Sequence, residues 1–429
     1  MTNTNKQTTA SFEDQAVKGK ESSARALFPK GAKPLLKDNG KKTPLKTAMS
    51  VLLIIGVFAL PILLRGIYQL ALVDALVLVG LYTMMALGLN VVVGYAGLLD
   101  FGRIASYAFG AYAAVMISIP LANLAGPEWG QWTFPLVLVV AGATAALAGY
   151  LLSLPVMRLR GDYLAIVTLG FGEIVRITLA NNPFELTNGL MGLPLTGQNL
   201  PSPPGFQWLK SNVELSIGDW FYFTFDNRVY WCLLVFLLLL LTIVVVRRQD
   251  NSRLGRAWAA LREDEVAATA MGVNTTRVKT WALVLGAVWG GVAGACFAFY
   301  NGGVTPEPFN FNNSVLALAI VVIGGMGSIQ GVIVGGLVIQ GFPELIRWFA
   351  QNHLGNAGIA ETIADFRMLF LGLFMVIMMA FRTEGIIPSK RIKRELKGDS
   401  ADVLVEGDVL INETPAGFAG TASGGGEGA

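Results

Sequence analysis

Two charges three residues apart, Glu173 and Arg176, interrupt the apolar string GFGEIVRITLA. On a helix they share a face and can neutralise each other, whereas an unpaired charge at the bilayer centre costs roughly 2.5–3.5 kcal/mol. One reading is a mutual pair, or a pair with a neighbouring chain. The other sets Arg176 against a substrate carboxylate and Glu173 against its ammonium, as a zwitterion requires. A second charged group, Arg262, Glu263 and Glu265, lies in RRQDNSRLGRAWAALREDEVAATAMGVNTT (247–276). It is too polar to cross a membrane. Elsewhere chemistry is sparse. There is no G-x4-G-K-[ST] phosphate loop, no HExxH and no G-x-S-x-G, so no catalytic role is expected, and any ATPase would be another chain. His353 is the only histidine and stands in no ligand cluster, so neither a metal nor a cofactor is expected. Cys232 and Cys296, in separate apolar segments, read as packing residues rather than a disulfide.

The elements that must hold these charges are membrane spans. The chain has 429 residues, 53% hydrophobic and 14% charged, with a mean hydropathy of +0.56. Soluble domains run near a quarter charged, so this is a membrane composition, and no nucleic-acid partner is expected. Ten apolar segments follow one another, at 48–64, 70–93, 98–119, 133–155, 163–180, 229–246, 278–300, 312–325, 328–349 and 366–381. The fold class expected is all-α, a polytopic transmembrane helical bundle of about ten segments, with the membrane domain spanning 48–382. Residues 1–47 are basic and aperiodic, which predicts a disordered cytoplasmic tail by the positive-inside rule. Counting from there places Arg103, Arg158 with Arg160, the 247–277 segment and Arg382 onward inside. The loop 181–228, whose basic residues are Lys210 and Arg228, falls outside. The 383–429 tail begins SKRIKREL, suited to anionic lipid headgroups, and ends in a flexible Gly/Ser-rich stretch; both termini are thus expected in the cytoplasm.

Five segments per half imply that the halves are inverted with respect to each other, a five-plus-five repeat. The third segment of each half is irregular. One carries Asp100, Arg103 and glycines; the other breaks at Gly324-Gly325 after about a dozen apolar residues. Interrupted segments at matching positions point to a translocation pathway, although such glycines also serve close helix packing. The candidate pathway residues are Ser106, Tyr107, Tyr112 and Ser314 in those segments, with Thr168, Glu173 and Arg176 in the fifth.

The 247–276 segment reads as two short helices. Asn251 or Ser252 can cap the first, whose apolar side presents Leu254, Trp258 and Leu261. Asp264 can cap the second, with Glu265 at its positive end and Gly272 placed to stop it. The string SRLGRAWAALREDEVAATAMGVN resembles the cytoplasmic coupling segment of ABC-importer permeases, in particular branched-chain amino acid permeases of the LivM type. GLNVVVGYAGLLDFGRIASYAFGAYAA (88–114), RLRGDYLAIVTLGFGEIVRI (158–177), LTNGLMGLP (186–194) and VIGGMGSIQGVIVGG (322–336) resemble the same family, in the same order. Against the generic importer signature, Ala267, Ala268 and Gly272 are in register, whereas Val266 stands where Glu is usual. Arg103, Ile104 and Ala105 also depart from the family pattern.

The resemblance implies a permease subunit of the bacterial inner membrane, importing branched-chain or other neutral amino acids. It further implies a sister permease, two ABC ATPase subunits and a periplasmic substrate-binding protein. Arg262, Glu263, Glu265, Ala267, Ala268 and Gly272 would couple it to the ATPases. A related branch carries urea and short amides, which is the alternative. A more remote rival is an ion-coupled secondary transporter, with Asp74 and Glu173 as its candidate ion sites.

Overall fold

In lipid the backbone has no water to bond to, so each apolar run must close its hydrogen bonds within itself, and helix is the outcome. The computed structural model describes residues 71–129, 133–157, 159, 162–195, 214–216, 222–224, 227–345, 367–382 and 385–387. The expectations for 1–47, 48–64, Arg158, Arg160, His353 and the distal tail lie outside these residues. Helix α1 (Ala71–Asn90) runs on through a π-helical turn, Val91–Tyr95. After it come α2 (Arg103–Trp129), α3 (Thr133–Val156), α4 (Asp162–Ala180) and α5 (Asn227–Asp250). Two short charged helices, α6 (Arg253–Glu263) and α7 (Glu265–Ala270), lead into the long α8 (Thr275–Asn301). The last three are α9 (Phe311–Gly324), α10 (Ile329–Gly336, continued by a second π-helical turn, Leu337–Gly341) and α11 (Arg367–Phe381).

Six helices among the described residues are long and apolar enough to cross a membrane. The protein is therefore an all-α, multi-span membrane protein. Its strands are short: β1 (Leu193–Pro194) pairs antiparallel with β4 (Gly303–Val304), and β2 (Glu214–Ser216) with β3 (Tyr222–Thr224). The first of these pairs ties the end of α4 to the end of α8.

Helix α1 is the central post, with 94% of its apolar window buried, against 33% for α4 at the edge. Helices α2, α3 and α8 pack through small residues, which let backbones approach where lipid gives apolar side chains no preference for each other. A Cβ on Gly110 of α2 would lie 2.2 Å from the Gly291 carbonyl oxygen of α8. On the other side of α8, a Cβ on Gly291 would lie 2.3 Å from the Ala145 Cβ of α3.

Two stretches break the helical pattern. Residues 96–102 precede α2, and residues 302–310 lead from α8 into α9. Sequence counting puts Arg103 at a cytoplasmic turn; the structure corrects this. Arg103 is 3% exposed, and its guanidinium lies over Gly286, where an added Cβ would be 3.0 Å from Nη1. Gly286 is eleven residues into α8 from Thr275, about 16 Å along the helix. Helix α2 therefore starts deep inside the bundle rather than at its charged end. The 302–310 stretch comes in from the opposite end, past the buried Phe309, and the Phe101 and Phe311 rings lie 6.2 Å apart. The two interruptions meet at that point.

Candidate coupling and translocation site

The charged segment is ordered by its caps. Of the two candidates, Ser252 caps α6, its Oγ accepting from the Gly255 amide at 3.3 Å, while Asn251 Nδ2 donates to the Arg247 carbonyl. Asp264 Oδ1 accepts from the Val266 and Ala267 amides at 2.7 and 3.1 Å and starts α7. Gly272, at φ +84°, takes the left-handed conformation that ends it. Asn274 then caps α8 through the Arg277 amide.

The apolar stripe seats this unit on the bundle. Trp258 is fully buried and its Nε1 donates to the Val278 carbonyl at 3.0 Å; Leu261 is buried and Leu254 half-buried in the same cluster, which includes Tyr95, Val246 and Leu283. Polar contacts fix the register. Arg262 Nη1 donates to the Gly94 carbonyl at 2.7 Å, reaching a backbone oxygen within the π-helical turn that ends α1. Lys279, 4% exposed, donates through Nζ to Glu265 Oε1 at 2.6 Å.

The six residues of the expected coupling set therefore divide. Arg262 and Glu265 turn toward their own bundle, and Ala268 is buried. Glu263, Ala267 and Gly272 face outward, beside Val266 at 66% and Met271 at 85% exposure. The outward face is more apolar than the Arg-Glu-Asp-Glu run suggests.

The expected pathway residues also divide. Tyr107 and Tyr112 are buried and pack on Phe309, with ring centroids at 5.8 and 6.0 Å. Neither hydroxyl has a hydrogen-bond partner among the described residues, and neither does buried Ser314 Oγ. Ser106 donates to its own helix, at the Arg103 carbonyl, and lies against Gly290. Thr168 Oγ1 accepts from the Phe101 amide at 3.1 Å, so α4 holds the tip of the 96–102 stretch. Glu173 and Arg176 pair with each other on α4, Arg176 Nε donating to Glu173 Oε1 at 2.8 Å. With side chains 36% and 32% exposed, the two stand apart from the buried tyrosine cluster.

Three polar contacts were not expected from the sequence. Arg103 Nη2 and Asp100 Oδ2 form a buried ion pair at 2.7 Å, Asp100 Oδ1 also accepting from the Gly102 amide. The i, i+3 spacing was the available signal. Asn90 Oδ1 accepts from the Gly327 amide at 2.8 Å, joining the end of α1 to the loop after α9. Asp74 Oδ1 accepts from the Tyr300 hydroxyl at 2.5 Å, which gives that carboxylate a structural partner.

Comparison with known proteins adds a family. Residues 71–379 match the model described as "Branched-chain amino acid transport system / permease component". The chain is 39% identical over 340 residues to the LivM high-affinity branched-chain amino acid transport permease of Salmonella typhimurium, covering 77% of this chain and 73% of that one. It is 29% identical over 300 residues to the LivH permease of Escherichia coli K12, covering 69% and 89%. The probable LivM of Methanocaldococcus jannaschii is 24% identical over 342 residues, covering 73% and 92%. No solved structure gives a significant match.

Proposed function

This chain belongs to the branched-chain amino acid transport permease family, and on that premise we propose that it is one membrane subunit of an ABC importer for branched-chain or other neutral amino acids. Separate ATPase subunits would power it, a sister permease would complete the channel, and a periplasmic protein would deliver the substrate. The observation that carries this reading is the capped two-helix segment of α6 and α7. It is bonded to the ends of α1 and α8 through Arg262 and Lys279, yet leaves Val266 and Met271 uncovered. Such a unit transmits a push, because its inner face is fixed and its outer face awaits a partner.

The orientation follows from that role. Residues 251–274 and the first turn of α8 face the cytoplasm, and the β1–β4 pair faces the periplasm. The two tails then lie in the cytoplasm of a bacterial inner-membrane protein of about ten segments. The interruptions at 96–102 and 302–310 precede the third segment of each half and enter from opposite ends, which supports an inverted five-plus-five repeat. Their meeting at Phe101 and Phe311 supports a pathway lined by Tyr107, Tyr112, Ser314 and Thr168.

The test is transport by the whole importer in liposomes, with the sister permease, ATPases and binding protein. ATP-dependent uptake of leucine is expected. Uptake of urea or acetamide in its place would establish the amide reading, and ATP-independent uptake driven by an ion gradient would establish a secondary transporter.

A further inference from the structure

A cavity of about 170 Å³ lies where the coupling segment meets the helix ends. Its apolar wall is built by Leu98, Leu99, Leu159, Leu164 and Leu261, and its polar side by Arg262, Glu265 and Lys279. An apolar cavity of about 150 Å³ takes a benzene-sized guest, so this one has room for a small organic molecule. Its chemistry narrows the choice. Both signs of charge are present, with Lys279 and Glu265 joined at 2.6 Å and Arg262 close by on α6. A carboxylate fits Arg262 and Lys279, an ammonium fits Glu265, and an aliphatic side chain fits the five leucines. That combination describes a neutral aliphatic α-amino acid in its zwitterionic form.

We propose that this cavity binds a free neutral α-amino acid from the cytoplasmic side, and that its occupation restrains the coupling segment and slows import. The proposal rests on the importer reading above and deepens it, placing a product-sensing site apart from the translocation pathway.

The restraint follows from who builds the walls. Leu98 belongs to the 96–102 stretch, Leu159 to the connection after α3, and Leu164 to α4. Leu261 and Arg262 are on α6, Glu265 on α7 and Lys279 on α8. Any rocking of α6 and α7 against the bundle changes the cavity's shape. A ligand touching all these pieces favours one arrangement over the others and shifts the population toward it. Rising internal amino acid would then brake its own uptake without any change in the ATPases.

The whole importer in liposomes tests this, with ATP inside and binding protein plus labelled leucine outside. Vesicles are preloaded with unlabelled L-leucine, with its 2-oxo acid (lacking the ammonium) or with isoamylamine (lacking the carboxylate). Internal leucine should lower the initial uptake rate roughly fivefold or more, the lower end of ordinary allosteric coupling, and the two analogues should do far less. Leu159→Trp fills the cavity; by the same restraint it should import slowly even from unloaded vesicles, and internal leucine should slow it no further. Labelled leucine should also bind the wild-type complex in detergent without the binding protein, a measurement that holds should the Trp variant fail to assemble. No effect of internal leucine, equal inhibition by the oxo acid, or further slowing by internal leucine in a well-assembled Leu159→Trp complex would each overturn the proposal. Uptake from unloaded vesicles reports on the importer reading separately.

Discussion

Glu173 and Arg176 close on each other across one turn of α4, with both side chains about one-third exposed. That geometry favours a mutual pair. A partly exposed pair of this kind contributes roughly 0.2–1 kcal/mol. Exchanging the two, Glu173→Arg with Arg176→Glu, should therefore leave protein level and leucine uptake close to wild type. Loss of uptake at normal expression would show that the pair is read by a passing zwitterion in a fixed orientation. The charges that matter more to the fold were harder to see. Arg103 read as a residue of a cytoplasmic turn, because counting segments assumes that every span begins at an interface. Burial at 2–3% exposure means that losing one partner would strand the other, at a cost of about 3–5 kcal/mol.

At the scale of elements, most boundaries were legible. The expected segments 133–155, 163–180 and 312–325 became helices Thr133–Val156, Asp162–Ala180 and Phe311–Gly324, because lipid leaves an apolar run no other hydrogen-bonded form. The expected 98–119 segment became a helix only from Arg103, since apolarity at Leu98, Leu99 and Phe101 does not reveal a backbone that turns through Asp100. The two charged helices, α6 and α7, were placed by their caps and stripe, but not the direction in which each charge points. That direction shapes the experiment. Arg262 and Glu265 serve the bundle, so the proposed docking surface is better probed at Val266 and Met271. Burying each against a partner is worth about 1.5–3 kcal/mol. The double variant Val266→Asp, Met271→Asp should insert normally while uptake falls roughly tenfold or more, about 1.4 kcal/mol per decade. Undiminished uptake by that variant would place the ATPase contact elsewhere.

At the scale of the whole molecule, the multi-span bundle was readable from hydropathy, whereas the meeting of two half-depth approaches was not. That meeting depends on ring contacts between Phe101 and Phe311, more than two hundred residues apart in sequence. The orientation is open to a direct measurement. In spheroplasts, Thr269→Cys should be shielded from an impermeant maleimide, and Leu190→Cys, on the opposite side and 77% exposed in the wild-type residue, should react. The reverse pattern would invert the assignment.

The glycine seam between α2 and α8 also carries a genetic consequence. When a large side chain spoils a core, a neighbour can usually shrink to restore the fit. Gly110 faces Gly291 backbone to backbone, so a lesion at Gly110 meets a neighbour with nothing left to remove. Relief can come from behind α8, where Gly291 rests on the Ala145 methyl of α3. A suppressor of a Gly110 mutation would therefore arise one helix away, as Ala145 reduced to glycine, and a pairwise search for compensating residues across the seam itself would find none.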